Sequence, residues 1–263
     1  MTENLRNSQK NKLVLLDAED HIAFFSNKVD ADYHSHNYIQ VTLGLEEDFQ
    51  INIEEKEFLT RGIIVDSNTR HKLQGSKKWQ MYLLINPESA FGEAIKSNFL
   101  REHEVNIIEY KDINIAIGPD IYDLIEKITS EKYYDLLKRI KELLKVTPNK
   151  VNNEIDKRVL DLLAYIESQP LDELTVKELS QIVFLSESRL SHLFKEETGV
   201  SLTSYILHVK LKKAFYLIFH GANMTDAAME AGFNSPSHFS RSVRDKLGMA
   251  PSVIVKGSRY LQV

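Results

Sequence analysis

The chain has 263 residues, enough for two domains of ordinary size, and its 43% hydrophobic and 27% charged content is that of a globular protein in water. It contains no cysteine, which excludes disulfides, thiolate metal sites and cysteine nucleophiles. The formal net charge of −5 argues against a chain-wide nucleic-acid surface, but from Ser180 onward basic residues outnumber acidic ones by ten to six, so any charge serving DNA is local.

The opening MTENLRNSQKNK is polar and does not read as a secretory signal, and no apolar run reaches the length of a membrane span. A cytoplasmic protein without a membrane partner is expected. Short apolar segments then recur at 13–16, 22–25, 38–45, 49–53, 62–66 and 79–85. Several alternate polar and apolar at period two, as half-buried strands do, and turn residues lie between them. This spacing predicts a small antiparallel barrel or sandwich.

The pattern changes near Pro87, with a short helix predicted over 89–97. Gly118-Pro119 signals a turn, Asp120 stands where a cap belongs, and 121–127 fits a helix. After Ser130, Tyr133, Leu136, Leu137, Ile140, Leu143 and Leu144 form one apolar stripe at three- and four-residue steps. It either covers its own barrel or makes a homodimer seam through 121–145. Thr147-Pro148-Asn149-Lys150 is the best boundary. The expected organisation is a sensing domain at 1–118, a helical linker and dimerisation region at 119–150, and a helical domain at 151–263.

That last region holds two tandem helix-turn-helix patterns, Thr175–Gly199 and Met224–Gly248. An amphipathic helix from Ile155 to Ser168 precedes them. In the first pattern Thr175 and Glu178 have capping-box spacing, and Ser186 is placed to cap the second helix. On that helix Leu190, Leu193 and Phe194 form an apolar edge, while Ser188, Arg189, Ser191, His192 and Lys195 face outward. Gly199 is placed to end it in a left-handed turn. In the second pattern Gly232 supplies the turn, Phe239 and Val243 face inward, and Ser237, His238, Ser240, Arg241 and Arg244 are left outside. A groove-reading helix needs this division between an anchoring edge and an edge of donors and acceptors. Between the patterns, 202–219 reads as one long helix that would set the two readers roughly one DNA turn apart, about 34 Å.

SESRLSHLFKEETGVSLTSYI, KLKKA at 210–214, and AGFNSPSHFSR followed by LGMAPS resemble the AraC/XylS family of bacterial transcription regulators over about 155–256. The resemblance implies an α+β multidomain chain: a cupin-like antiparallel β-barrel with a helical linker, then an all-α domain of about seven helices. It implies an activator that binds successive major grooves of promoter double-stranded DNA, with RNA polymerase as a further partner. The family's base-reading positions carry over to Ser188, Ser191 and His192, and to Ser237, His238 and Arg241. Ser180, Lys210, Ala227-Ala228, Val243 and Ile254-Val255 depart from the family pattern, and a thin core is expected in the second unit.

His34-Ser35-His36, Gln40 and His71 resemble the ligand positions of metal-binding cupins, with Gln40 standing where a glutamate is usual. An amide is a poor substitute for an anionic ligand, so no metal or cofactor is expected. A small-molecule effector pocket would draw on His34, His36, Tyr38, Gln40, His71, Trp79 and Tyr82. Two alternatives stand beside the leading one. The first is a metal-dependent cupin enzyme using His34, His36 and His71, although the resemblance implies a non-enzyme. The second is a regulator without effector whose barrel only dimerises or binds another protein.

Overall fold

The computed structural model describes residues 13–263 apart from 19, 28, 30, 75–76, 119–120, 147–155, 170, 172–173, 199 and 257. The boundary expected at Thr147–Lys150, the cap expected at Asp120, the helix start at Ile155 and the left-handed turn at Gly199 lie outside the described residues. The chain forms two compact units. Among the described residues, one comprises 13–87, 91–146 and 244–263, the other 88–90 and 156–243.

The first unit is built on two sheets. Strands β1 (Leu13–Asp17), β2 (His21–Ser26), β4 (Ile39–Gly44), β7 (Gly62–Val65), β9 (Gln80–Ile85), β10 (Val105–Ile107) and β11 (Ser258–Gln262) form a seven-stranded sheet in the order β10-β7-β4-β9-β2-β1-β11. Strands β3 (Ala31–His34), β5 (Phe49–Ile53), β6 (Lys56–Thr60) and β8 (His71–Leu73) form a four-stranded one in the order β3-β8-β5-β6. The expected barrel is therefore not closed. Between β6 and β7 only Arg61 intervenes, and across it the chain leaves one sheet for the other without a continuing ladder. Nor is the pairing all antiparallel, because β11 runs parallel to β1.

Register explains how the large sheet is used. One row, Leu16, Ala23, Leu83, Val41 and Ile64, runs straight across five strands. All five join a buried core with helices α1 (Ala90–Phe99), α2 (Tyr110–Ile117), α3 (Ile121–Glu126) and α4 (Ser130–Leu143). The stripe on α4 is consumed there: Tyr133, Leu136, Leu137, Ile140 and Leu144 are all buried in this core. It is thus not the free apolar face that a dimer seam through 121–145 would need. The opposite face of the sheet is different. Rows through Asp17, Gln40 and through Thr42, Tyr82 bring buried polar groups side by side with Ile22, Leu84, Phe24 and Leu15.

The second unit is helical: α5 (Lys157–Ser168), α6 (Val176–Ile182), α7 (Glu187–Thr198), α8 (Leu202–Phe219), α9 (Met224–Glu230) and the start of α10 (Pro236–Leu247). The end of α10, with α11 (Pro251–Val255) and β11, counts with the first unit. Val159, Leu162 and Ile166 of α5 pack with Leu179, Leu190, Leu193, Phe194, Leu202 and Ile206. No helix of the described residues is long and apolar enough to cross a membrane.

Candidate nucleic-acid interface

Helix α6 starts on a complete capping box. Thr175 Oγ1 accepts the Glu178 N–H at 3.2 Å, and the Glu178 carboxylate accepts the Thr175 N–H at 3.0 Å. The helix ends in a tight turn where the Leu185 N–H donates to the Ser180 carbonyl at 2.9 Å. Ser186 then caps α7, its Oγ accepting the Arg189 N–H at 3.2 Å. The second unit of the pair repeats this plan. Asn223 caps α9, the Phe233 N–H donates to the Ala228 carbonyl at 3.0 Å, and Ser235 Oγ accepts the His238 N–H at 3.1 Å.

Each second helix is divided as a groove reader requires. On α7, Leu190, Leu193 and Phe194 are buried, while Ser188, Arg189, His192 and Lys195 are exposed and Ser191 is half-buried. Ser191 Oγ donates to the Glu187 carbonyl at 2.8 Å, so its hydroxyl proton is spent within the helix and it faces outward as an acceptor. On α10, Phe239 and Val243 are buried, Ser237, His238, Arg241 and Arg244 are exposed, and Ser240 is half-buried. The core under the second turn is not thin. The Phe233 and Phe239 rings meet edge-on at 5.3 Å, and Phe215 of α8 adds a third ring 6.1 Å from Phe239. Lys210 of α8, a departure from the family's arginine, donates to the Gly232 carbonyl at 2.7 Å and so ties the turn to the connecting helix.

A sequence profile described as a helix-turn-helix domain matches residues 179–257. The chain is 27% identical to the probable transcriptional regulator LumQ of Photobacterium leiognathi, over 84% of this chain and 90% of LumQ. It is 33% identical over 97 residues to the transcriptional activator RhaS of Escherichia coli O139:H28, a match that spans 36% of this chain and only 35% of RhaS. The chain carries an AraC-type helix-turn-helix domain. Such a domain is that of a DNA-binding transcription regulator. Among solved structures, ToxT from Vibrio cholerae O395 aligns over 94% of this chain and 97% of its own with a TM-score of 0.48 and 12% identity. The DNA-binding domain of AdpA in complex with a target DNA aligns over 38% and 90%, with a TM-score of 0.36 and 18% identity.

One partner of helix α7 has no counterpart in the sequence pattern. Lys195 Nζ lies 2.7 Å from Glu88 Oε1, and Glu88 Oε2 accepts the Ser201 N–H at the start of α8 at 2.9 Å. The Glu88 carboxylate holds the ammonium and raises its pKa.

The candidate pocket residues divide. Tyr82 and Gln40 share the polar face of the large sheet, where Tyr82 donates to Gln80 and Gln40 Nε2 donates to Thr42 Oγ1 at 3.0 Å. Trp79 does not join them. It stands an odd number of residues from Tyr82, and it packs into the helix-covered core. Tyr38 lies under Lys246, whose ammonium is 4.7 Å from its ring centroid and donates to Asn37 Oδ1 at 2.9 Å. His34, His36 and His71 do converge. His34 and His71 are directly opposed cross-strand neighbours with rings 4.4 Å apart, and His36 lies 5.1 Å from His71. Burial pushes the His36 imidazole down to about 4 and His71 to about 3, the latter helped by the two neighbouring rings. Burial lowers His34 as well.

Proposed function

We infer that this chain controls transcription by setting α7 and α10 of its AraC-type domain into successive major grooves of promoter DNA. The observation that carries this reading is the repeated division of the two helices. Each has a buried apolar edge anchored by a capped turn, and each turns serines, a histidine and cations outward. In this reading Ser188, Ser191 and His192 read one groove, and Ser237, His238 and Arg241 the next, with Arg189, Lys195, Ser240 and Arg244 placed for phosphates and flanking contacts. Arg241 is the strongest reader, since a guanidinium pairs bidentately with guanine. The chain acts as an activator in the cytoplasm, meets RNA polymerase at the promoter, and performs no catalysis. A homodimer through 121–145 would use the outer side of α3 and α4, where Tyr122 and Tyr134 are exposed, rather than the buried stripe.

The test is footprinting of the full-length protein on DNA upstream of its own and neighbouring genes. Two protected major-groove stretches one helical turn apart are expected, with both lost in an Arg189→Ala/Arg241→Ala protein. Absence of any protection at low salt would overturn the reading.

An effector reading is favoured by one further observation. Asp17, Gln40, Thr42, Gln80 and Tyr82 place buried polar groups on the face of the large sheet turned away from the helices. A small polar effector bound there would compete for the hydrogen bonds these groups make to one another.

A further inference from the structure

Phe184 is the most exposed large apolar side chain among the described residues, with 94% of its surface open. It stands in the turn between α6 and α7 at a φ of +54°, in the left-handed region that a residue with a Cβ rarely takes. The turn itself is closed by backbone. The Phe184 N–H donates to the Gln181 carbonyl at 3.3 Å, and the Leu185 N–H to the Ser180 carbonyl at 2.9 Å. The core beneath is filled by other side chains, among them Leu179, Leu190, Leu193 and Phe194. Gly232 has the same left-handed backbone in the second unit and no side chain, so such a turn forms without a ring. A phenyl group held on strained backbone, burying almost nothing, does not serve the fold, and strain kept in this way points to a use outside it.

The position of the ring says what that use is. Ser186 caps α7 two residues later, and every residue from Ser186 to Arg189 is exposed. Phe184 thus continues the open N-terminal end of α7, the end that helix-turn-helix proteins direct at base edges in the major groove. The nearest charge along the chain is the exposed carboxylate of Glu187, which does not invite a phosphate. What a phenyl ring can recognise at a major-groove edge is the C5 methyl group of thymine. We propose that Phe184 packs on a thymine methyl at the edge of the groove that α7 enters, and so makes the first unit prefer thymine at that position. This rests on the placement of α7 in the major groove inferred above. It adds an apolar contact to a helix whose other readers, Ser188, Ser191 and His192, exchange hydrogen bonds, and it gives the strained turn a role that Gly232 does not share.

The test uses the full-length protein and the DNA that it protects in the footprint. Each thymine of the two protected stretches is replaced in turn by deoxyuridine, which removes only the C5 methyl. At one position the wild-type affinity should fall by about fourfold, the effect of one buried methyl group. Phe184→Gly should bind the thymine and deoxyuridine duplexes equally, at the affinity of the wild type for the deoxyuridine one, because two changes that remove one contact do not add. Phe184→Asn, which tolerates left-handed backbone without the flexibility of glycine, should behave in the same way. Phe184→Leu, which keeps an apolar contact, should retain part of the preference. If no position is sensitive to the methyl, or if every such sensitivity survives Phe184→Gly, the contact is overturned. A loss in Phe184→Gly that is equal on both duplexes also overturns it, and makes the ring a neighbour of sugar or phosphate. Unchanged DNA binding with lost activation overturns it in favour of a protein partner. In each of these cases Arg241→Ala still weakens binding, so the groove placement stands. Absence of any footprint overturns that placement, and the Phe184 contact with it.

Discussion

Phe184 and Gly232 hold the same place in the two helix-turn-helix turns. Both have left-handed backbone, with φ of +54° and +77°, and both precede a residue whose N–H closes the turn five residues back. Only glycine takes this conformation without a Cβ clash, and a side chain costs roughly 1–2 kcal/mol there. Phe184 does not recover that cost by packing, since it is 94% exposed. Phe184→Gly should therefore stabilise the chain, by up to about 1 kcal/mol once the added flexibility of the unfolded chain is subtracted. Gly232→Ala should destabilise it by about 1–2 kcal/mol. Urea midpoints measure both. A loss of stability in Phe184→Gly would mean that the exposed ring makes a contact within the chain.

Arg241 and Arg189 occupy exposed places on α10 and α7, and in the proposed reading only Arg241 contacts a base. Arg241→Ala should cost about 1–3 kcal/mol and relax preference at one base pair. Arg189→Ala should weaken all sequences alike and flatten the salt dependence. Binding to a panel of single-base variants of the footprinted site separates the two. A uniform loss in Arg241→Ala would make it a phosphate contact.

Glu88 occupies Lys195 as a phosphate would. Its carboxylate spans the ammonium at 2.7 Å and the Ser201 N–H at 2.9 Å. The ammonium is exposed and the carboxylate half-buried, so the pair adds little to stability. Glu88→Gln keeps an acceptor for Ser201 while removing the competing charge. DNA affinity at low salt should rise, and the logarithmic salt slope should steepen by up to about one. The thermal midpoint should barely move. An unchanged slope would show that Lys195 reaches no phosphate.

The helical part was the more legible in the sequence because its signals are local. Thr175 with Glu178, Ser186 before α7 and Gly232 after α9 act within one turn of chain, and the structure uses all of them. The strands that escaped the sequence reading depend on distant partners. β6 reads KEFLT and is mostly exposed, with no apolar alternation to detect. β11 pairs with β1 from the other end of the chain. The histidines were visible as residue types, but the opposition of His34 and His71 needs the β3–β8 register. Trp79 and Tyr82 looked equivalent until the register put them on opposite faces. Glu88 beside Lys195 is a tertiary contact that no spacing announces.

Burial of His36 and His71 makes the protein sensitive to acid. An unfolded histidine titrates near 6.5, whereas the folded rings stay neutral down to about 4 and about 3. Below pH 6.5 the unfolded chain binds protons that the folded chain refuses, so stability falls as pH falls. Above 6.5 both states are neutral at these positions and the two rings add no slope. Each ring contributes a loss of about 1 kcal/mol per pH unit between pH 6 and 5. Urea midpoints across this range should show that decline. His71→Gln should make it shallower by about one proton's worth, leaving His36 and the partly buried His34 to supply the rest. Equal slopes in the wild type and His71→Gln would mean that the His71 ring accepts a proton in the folded state and is not held neutral by its surroundings.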